Sequence, residues 1–269
     1  MRSNIWYHGV CSDTFGVYIE RRPPRIIPQR RYTRYTIPGR SGEKLKPQRG
    51  WENYVQPYDI AIVPLLTETN LSKQIDKVAE WLLYPGDYQR LEDSYNPGVY
   101  RLAAVTNAME VTNQLGKFGR ATLQMECMPE RWFLDGEAWQ QIDLTEGFSS
   151  LNPTPNNAEP LISITGRGVF GWRLQNTAAG LDLTYKFNVS GNTNRTIRVE
   201  AEKAGDAYRA DNGANMNGVT TVTGSGPAGK VPIIPAAGTT VLTPVITETE
   251  GVADGVITEM WIMPRWFIV

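Results

Sequence analysis

Short strand-like runs, separated by clusters of glycine, proline and asparagine, follow one another along almost the whole sequence. Tyr58, Ile60 and Ile62 recur at every second position, which is the period of a half-buried strand. In the first half of the chain the predicted strands are residues 5–10, 15–20, 31–37, 54–65, 88–91, 99–105, 108–113 and 118–127. In the second half they are residues 139–144, 160–165, 169–174, 181–189, 196–202, 219–222, 239–247 and 256–266. The sequence therefore predicts a mainly β protein.

Residues 70–83 depart from this pattern, because their apolar side chains recur at helical spacing. These side chains are Leu71, Ile75, Val78 and Leu82. We predict one amphipathic helix that packs on a sheet. Asn70 or Ser72 can cap its first turn, and Pro85 followed by Gly86 ends it.

Length and charge divide the chain into two predicted domains. A chain of 269 residues is long enough for about two domains of ordinary size. Residues 1–136 carry 18 basic and 15 acidic side chains, a net charge of +3, and residues 137–269 carry 9 and 13, a net charge of −4. We place the boundary near Asp135 to Glu137. The regular short strands that follow predict a β-sandwich with no helix.

Basic side chains are concentrated between residues 21 and 49, where ten Lys or Arg accompany one acid, Glu43. Pro23, Pro24 and Pro28 remove backbone donors and hold this segment extended, so it cannot close into a helix. Because guanidinium groups pair with carboxylates or phosphates, we predict an arm that binds another surface. The predicted interface residues are Arg21, Arg22, Arg25, Arg30, Arg31 and Arg40.

Two kinds of partner for this arm remain open. Tyr32 and Tyr35 lie among the arginines, so the arm could contact phosphates and stack on the bases of a nucleic acid. We favour a protein partner, because residues 1–136 have a net charge of only +3 and a nucleic-acid-binding domain is normally more basic. The opposite net charges of the two halves also favour contact between copies of the chain.

The sequence lacks the residue combinations that catalysis or metal binding requires. His8 is the only histidine, and with Cys11 and Cys127 it gives three soft ligands, where structural zinc usually takes about four. We interpret the two cysteines as thiols that serve as small core side chains. We predict that the protein is not an enzyme and has no catalytic, cofactor-binding or metal-binding residues.

Two other motifs resemble functional sites, but a loop and a strand edge explain them better. Residues 224–230 match the spacing of a phosphate-binding loop, but Val231 replaces the required Ser or Thr and Pro232 opposes a following helix. We predict a hairpin loop there. Glu248 and Glu250 would share one strand face at about 6.6 to 7 Å, which overlaps the carboxylate separation of inverting glycosidases. We interpret them as a solvated acidic edge.

The aromatic side chains of the second half allow an alternative function. They could form a face that stacks on sugars, or they could fill the core of the sandwich, which we favour because strand aromatics bury large areas. The side chains are Trp139, Trp172, Tyr185, Trp261 and Trp266. The alternative function is a carbohydrate-binding module for host cell-wall sugars, and a cell-wall hydrolase is disfavoured by the missing catalytic residues.

The first residues of the sequence and its apolar runs indicate where the protein is made and whether it enters a membrane. The first residues lack the apolar stretch of a secretory signal, so we expect synthesis in the cytoplasm. No apolar run approaches the roughly 18 residues of a membrane span, so we expect no membrane anchor.

Several motifs, in order along the chain, resemble one protein family. In the first half they are residues 9–18 (GVCSDTFGVY), 22–24 (RPP), 37–42 (IPGRSG), 118–120 (FGR) and 125–127 (MEC). In the second half they are residues 158–162 (AEPLI), 207–208 (AY), 215–217 (NMN) and 264–266 (PRW). Their order and spacing resemble the distal tail protein (Dit) family of long-tailed siphophages.

The resemblance implies an N-terminal β-barrel-like domain with one helix that assembles into a hexameric ring, and an outer galectin-like β-sandwich. It implies a structural hub of the tail tip or baseplate, located in the virion tail, with a central channel for DNA in transit. The implied partners are other copies of the chain, in one or two stacked rings, the tail tube protein, and a tail-tip or receptor-binding protein. The arm would contact a neighbouring subunit or the tube. No cofactor is implied.

Overall fold

The computed structural model describes residues 3–66, 70–114, 118–191, 193–246, 248–249, 252–253 and 255–269. Tertiary contacts divide the chain into two compact units, Met1–Trp132 with Val269, and Phe133–Ile268. Strands dominate the described residues of each unit, so the predicted mainly β class is confirmed. The division into domains at residues 1–136 and 137–269 stays a prediction.

The first unit contains one curled sheet, a separate hairpin and one α-helix. Its elements are β1 (Ile5–Tyr7), β2 (Val10–Cys11), β3 (Val17–Ile19), β4 (Arg30–Thr36), β5 (Glu43–Trp51), β6 (Tyr54–Ile62), α1 (Leu71–Leu83), β7 (Gln89–Asp93), β8 (Val99–Ala104), β9 (Thr112–Gln114) and β10 (Phe118–Phe133). The order across the sheet is β2-β1-β7-β8-β10-β6-β3, with β9 on the start of β10. Ser3 pairs with Ile19 of β3, whose amide donates to the Ser3 carbonyl at 2.8 Å. The sheet therefore curls toward a barrel.

Strand β6 shows how the sequence places the core of this unit. Tyr54, Gln56, Tyr58, Ile60 and Ile62 are buried, and the side chains between them are more exposed. This confirms the predicted period of two, which puts one face of the strand against the core. The strand ends at Ile62, three residues before the predicted end.

Helix α1 covers the apolar face of the curled sheet. The Asn70 side chain accepts hydrogen bonds from the amides of Ser72 at 3.0 Å and Lys73 at 3.4 Å, so Asn70 caps the helix as predicted. Trp81 lies in the core, where its indole nitrogen donates to the Tyr7 carbonyl at 3.2 Å and its ring stacks on Phe15. Among the described residues, no helix is long and apolar enough to cross a membrane.

Gln74 of α1 is a buried polar side chain that joins the helix to two loops. Its amide nitrogen donates to the carbonyls of Phe15 at 2.7 Å and Val63 at 2.8 Å, and its oxygen accepts from the Leu65 amide at 3.1 Å. The backbone of residue 16 lies so close to Val63 that only glycine fits there. Its φ is +66°, and a Cβ atom would lie 2.2 Å from the Val63 carbonyl oxygen.

The second unit is a β-sandwich without an α-helix in its described residues. Its strands are β11 (Gln140–Gln141), β12 (Phe148–Leu151), β13 (Leu161–Asn176), β14 (Leu181–Val189), β15 (Arg195–Glu200), β16 (Asp206–Arg209), β17 (Thr220–Ser225), β18 (Thr239–Ile246), β19 (Glu248–Thr249), β20 (Val252–Ala253), β21 (Gly255–Met263) and β22 (Phe267–Ile268). The short 3-10 helices of the chain are Ser12–Phe15, Asp135–Glu137, Thr177–Ala179, Ala201–Lys203 and Asn217–Val219. No strand is predicted from the sequence at β12, β16, β19, β20 or β22. The likeness to galectins stays a prediction.

The long strand β13 belongs to two halves of this sandwich. Its residues 161–166 pair with β15 and β21, and its residues 170–175 pair with β14 and β18. The two separate strands predicted at 160–165 and 169–174 are therefore wrong. Gly166 forms a bulge where a Cβ atom would lie 2.5 Å from the Val256 oxygen, so this glycine permits close backbone approach and the strand continues through it.

Candidate interface arm

The predicted arm, residues 21–49, lies in an extended segment and a β-hairpin, and the second strand of the hairpin continues to Trp51. Residues 21–29 have no regular secondary structure, and β4 pairs with β5 as a two-stranded sheet of its own. The prediction of an extended, non-helical arm is therefore confirmed. Strand β5 is not predicted from the sequence, because its lysines, proline and glycine give no alternation of apolar and polar side chains.

The register of the hairpin gives each of its faces a different character. Residues that pair across an antiparallel sheet, and residues two apart on one strand, share a face. One face therefore carries the pairs Tyr32–Pro47 and Arg34–Leu45. The other face carries Tyr35 with Lys44, and Thr33 with Lys46. One face is thus mixed apolar and charged, and the other is basic.

Apolar side chains are exposed on both faces of the hairpin. Tyr32 exposes 45% of its surface, Tyr35 46% and Leu45 53%. An isolated two-stranded hairpin is marginally stable in water, because it has no core to cover either face. A hairpin of this composition gains stability when a partner surface covers it.

Five of the six predicted interface arginines have no acidic partner in the part of the chain that the structure describes. Among the described residues, no carboxylate lies within 4.0 Å of these five side chains, which are Arg22, Arg25, Arg30, Arg31 and Arg40. Arg21 differs, because it forms an ion pair with Asp59. The Thr122 hydroxyl donates to Asp59 at 2.8 Å, and this hydrogen bond, followed by the Arg21 contact, lowers the pKa of the Asp59 carboxyl.

A buried polar network holds the base of the arm. The Gln56 amide nitrogen donates to the Pro24 carbonyl at 3.0 Å, and the Gln56 oxygen accepts from Arg101 at 3.2 Å. Arg101 pairs with Asp93 at 3.2 Å, and both side chains are buried. Tyr58 donates to Asp93 at 3.1 Å, and burial raises the pKa of the Tyr58 phenol well above its usual range, so it remains a donor. The network fixes where the arm leaves the curled sheet.

The other sequence motifs lie apart from the arm and from one another. His8 forms a hairpin turn with Gly9, at φ angles of +51° and +75°, and its Nδ1 lies 2.8 Å from the Gln89 side-chain oxygen. Cys11 and Cys127 are free thiols, and only Cys127 is buried. Burial raises the pKa of the Cys127 thiol to about 11.

The predicted loop at residues 224–230 is confirmed between Gly226 and Gly229, which exchange backbone hydrogen bonds at 2.8 and 2.9 Å, whereas residues 224 and 225 belong to β17. No helix follows it in the described chain. The acidic edge lies partly outside the described residues, because Glu250 is not among them. Glu248 lies in β19, which pairs with β20.

The two central side chains of the alternative sugar-stacking face, Trp172 and Tyr185, are buried and cannot contact a sugar. Trp172 and Tyr185 stack on each other inside the sandwich, with ring centroids 4.3 Å apart and almost no exposed surface. Trp266 is also buried, whereas Trp139 and Trp261 are partly exposed. The favoured interpretation, core packing, is confirmed for Trp172, Tyr185 and Trp266. The proposed role of Trp172 in sugar binding is wrong, because strand alternation turns its ring toward the core.

The fold and the arm together define a mainly β protein with two compact units and a basic, exposed hairpin. The chain is similar in structure to the Dit protein of phage SPP1, with a TM-score of 0.67 and 15% sequence identity, and the match covers 99% of each chain. That protein is described as a paradigm of the hub adsorption apparatus in phages that infect Gram-positive bacteria. No protein-family model and no curated protein matches the sequence. The similarity shows a shared fold.

Proposed function

We propose that this protein is a structural hub of a long-tailed phage tail, in which copies of the chain assemble into a ring. The observation that carries the proposal is the likeness to the SPP1 Dit hub protein along 99% of both chains. A common fold over two units with such different topologies is a more demanding match than a common β-sandwich alone.

The arm gives this proposal a physical basis. Copies related by rotation around a ring meet through two different surfaces, so each copy needs a patch and its complement. The exposed hairpin, with unpaired arginines at its base, at the start of β4 and in its turn, supplies one such patch. An acidic surface on a neighbouring copy or on the tail tube supplies the complement. The predicted interface residues are those named for the arm, from Arg21 to Arg40.

The remaining features of the hub belong to the same proposal. The ring is a hexamer, single or in two stacked layers, and its open centre passes DNA. Domain 1–136 forms the ring, and domain 137–269 is a galectin-like sandwich. The neighbours in the virion tail are the tail tube protein and a tail-tip or receptor-binding protein. The protein acts by assembly and not as an enzyme.

Light scattering and electron microscopy of the purified protein test the proposal. We expect a concentration-dependent oligomer, and ring-shaped particles with a central opening. A monomer at every concentration, also in the presence of purified tail tube protein, would contradict the proposal.

Charge substitutions inside and outside the arm distinguish a specific contact of the arm from the effect of the protein's net charge on assembly. The test variant replaces Arg30, Arg31 and Arg40 with Gln. The control replaces Lys73, Arg195 and Lys230 with Gln, which removes the same charge outside the arm. We expect ring assembly to weaken only in the test variant, while both variants remain folded by circular dichroism. Equal assembly of the two variants would show that the arm is not part of the interface. If the wild type and the control bind single-stranded DNA and the test variant does not, nucleic acid is favoured as the partner of the arm.

A further inference from the structure

A small cavity lies at the base of the arm, under its proline segment. Its volume is about 70 Å³, several times the roughly 10–15 Å³ that one water molecule needs. Four arginines line it: Arg22, Arg25, Arg101 and Arg131. No acidic residue is among the described residues that line it. The cavity therefore has positively charged walls.

Arg131 is the most unusual of these side chains. It exposes 9% of its surface, and its Nε donor has no hydrogen-bond partner among the described residues. A buried donor on a charged group is costly when it is unpaired. Burial lowers the pKa of the Arg131 guanidinium, Tyr54 partly offsets this, and the nearby charges of Arg25 and Arg101 lower it further. Among the described residues, the groups near Arg131 thus do not compensate its charge.

Of the other three arginines, one has a carboxylate partner and two do not. Arg101 is paired with Asp93 and donates to Tyr54 and Gln56, so its charge already has a counter-charge. Arg22 and Arg25 have no carboxylate within 4.0 Å in the described part of the chain. The buried guanidinium group of Arg131 and the exposed ones of Arg22 and Arg25 therefore line a partly enclosed space, and no described carboxylate pairs with any of the three.

We propose that this cavity binds one small oxyanion, a carboxylate or a phosphate group, held by Arg131, Arg25 and Arg22. Guanidinium groups donate paired hydrogen bonds to both kinds of group, and the burial of Arg131 strengthens the hydrogen bonds that it donates. The oxyanion comes from one of two sources, free phosphate or an acidic side chain of another protein chain. The site rests on the geometry of the first unit alone and does not depend on the tail-hub function.

Thermal unfolding and calorimetry with inorganic phosphate test the proposal, in matched ionic strength set by sodium chloride. We expect phosphate to raise the Tm of the wild-type protein. Arg131→Met removes the buried donor, so we expect a Tm at least equal to that of the wild type without phosphate, and no response to phosphate. Arg25→Gln, at an exposed position, is expected to bind phosphate at least about tenfold more weakly. Lys73→Gln on α1 is the control and should respond like the wild type.

A second measurement distinguishes the sources of the oxyanion. Phosphate binding that Arg131→Met and Arg25→Gln weaken supports a site for free oxyanions. If phosphate has no effect, an assembly constant that both variants lower about tenfold, and Lys73→Gln does not, supports a carboxylate from another chain.

Two results would overturn the site. The first is that phosphate does not change the Tm of the wild-type protein and that both variants assemble with the same constant as the wild type. The second is equal stabilisation by phosphate and by chloride, which would indicate only screening of surface charge. Where Arg131→Met fails to fold, Arg25→Gln decides by the same criteria, because its side chain is exposed and is not part of the core.

Discussion

The β4–β5 hairpin of the arm and the β13–β14 pair of the sandwich are both antiparallel strand pairs, but they have opposite surroundings. In the β13–β14 pair Phe170, Trp172 and Leu174 are fully buried, and so is Phe187, which lies opposite Phe170. In the hairpin every described side chain of β4 except Thr33 is exposed. Strand pairing alone therefore does not determine where a core forms.

This difference shows what each pair contributes to the molecule. The β13–β14 pair stabilises its own unit, because its aromatic side chains leave water on folding. The hairpin removes little surface from water within one copy, so its tyrosines and leucine contribute little to the stability of that copy. Its composition makes physical sense when a second surface covers it.

The largest effect is expected in the sandwich core. Trp172→Ala should lower the free energy of unfolding by about 3–5 kcal/mol, because it removes a fully buried indole that stacks on Tyr185. Urea unfolding followed by circular dichroism measures the change. Tyr35→Ala in the hairpin is the matched control and should change it by less than about 0.5 kcal/mol. Equal effects at the two positions would break the comparison between core and arm.

A second test compares a buried ion pair with an exposed one. Arg101→Ala should lower the free energy of unfolding by about 3 kcal/mol, because it leaves the Asp93 carboxylate buried without its cation. Arg173→Ala removes the exposed pair with Asp182, whose atoms are 2.7 Å apart, and should cost less than about 1 kcal/mol.

Hydrogen exchange extends this test to the arm. Arg101 is joined to Pro24 through Gln56, so Arg101→Ala should speed exchange at the base of the arm, near Arg25 and Ile26. Unchanged exchange there would show that the network does not hold the arm.

The third effect depends on pH and concerns Cys127 in the core of the first unit. Burial raises the pKa of its thiol from an ordinary value of 9.0 to about 11. The folded-state pKa is the higher one, so the thiol contributes stability that is complete below pH 9 and is lost as the pH rises to 11. The difference in unfolding free energy between the wild type and Cys127→Ala should therefore shrink by about 2 kcal/mol between pH 8 and pH 10.5. A constant difference would show that the thiol ionises equally in both states.

The sequence predicted the fold where its period is visible, and failed where tertiary contacts decide. Alternation identified β6, and helical spacing with an Asn cap identified α1. The break predicted between residues 165 and 169 was wrong, because Gly166 and Gly168 look like turn residues but lie within β13, where Gly166 is at a bulge. No local pattern distinguishes these two uses of glycine.

The candidate site was predicted in part for a similar reason. Charge and proline identified the arm and its extended course, which need no knowledge of contacts. Strand β5 has no apolar period, because neither of its faces meets a core, and it was missed. Arg131 could not be recognised, since its burial and its closeness to Arg25 and Arg101 depend on residues far away in sequence.

The smallest effect is expected on the apolar face of the hairpin, and it tests the comparison most directly. The double variant Tyr32→Ser with Leu45→Ser should change the free energy of unfolding of the isolated chain by less than about 0.5 kcal/mol, because neither side chain is buried. Light scattering should show weaker assembly of the same variant, since a covered interface loses two apolar contacts. Leu151→Ser, at a position that is 64% exposed in the second unit, is the control and should assemble like the wild type.

Two opposite outcomes of this variant are informative. A loss of about 1.5–3 kcal/mol in the isolated chain, the value of a fully buried side chain, would show that the hairpin folds against its own unit in solution. Unchanged stability with unchanged assembly would show that the apolar face of the hairpin is not an interface. In that case the arm would act through its charges alone, and its assembly would weaken with rising salt, because solvent-exposed ion pairs are screened within about 10 Å at 0.1 M ionic strength.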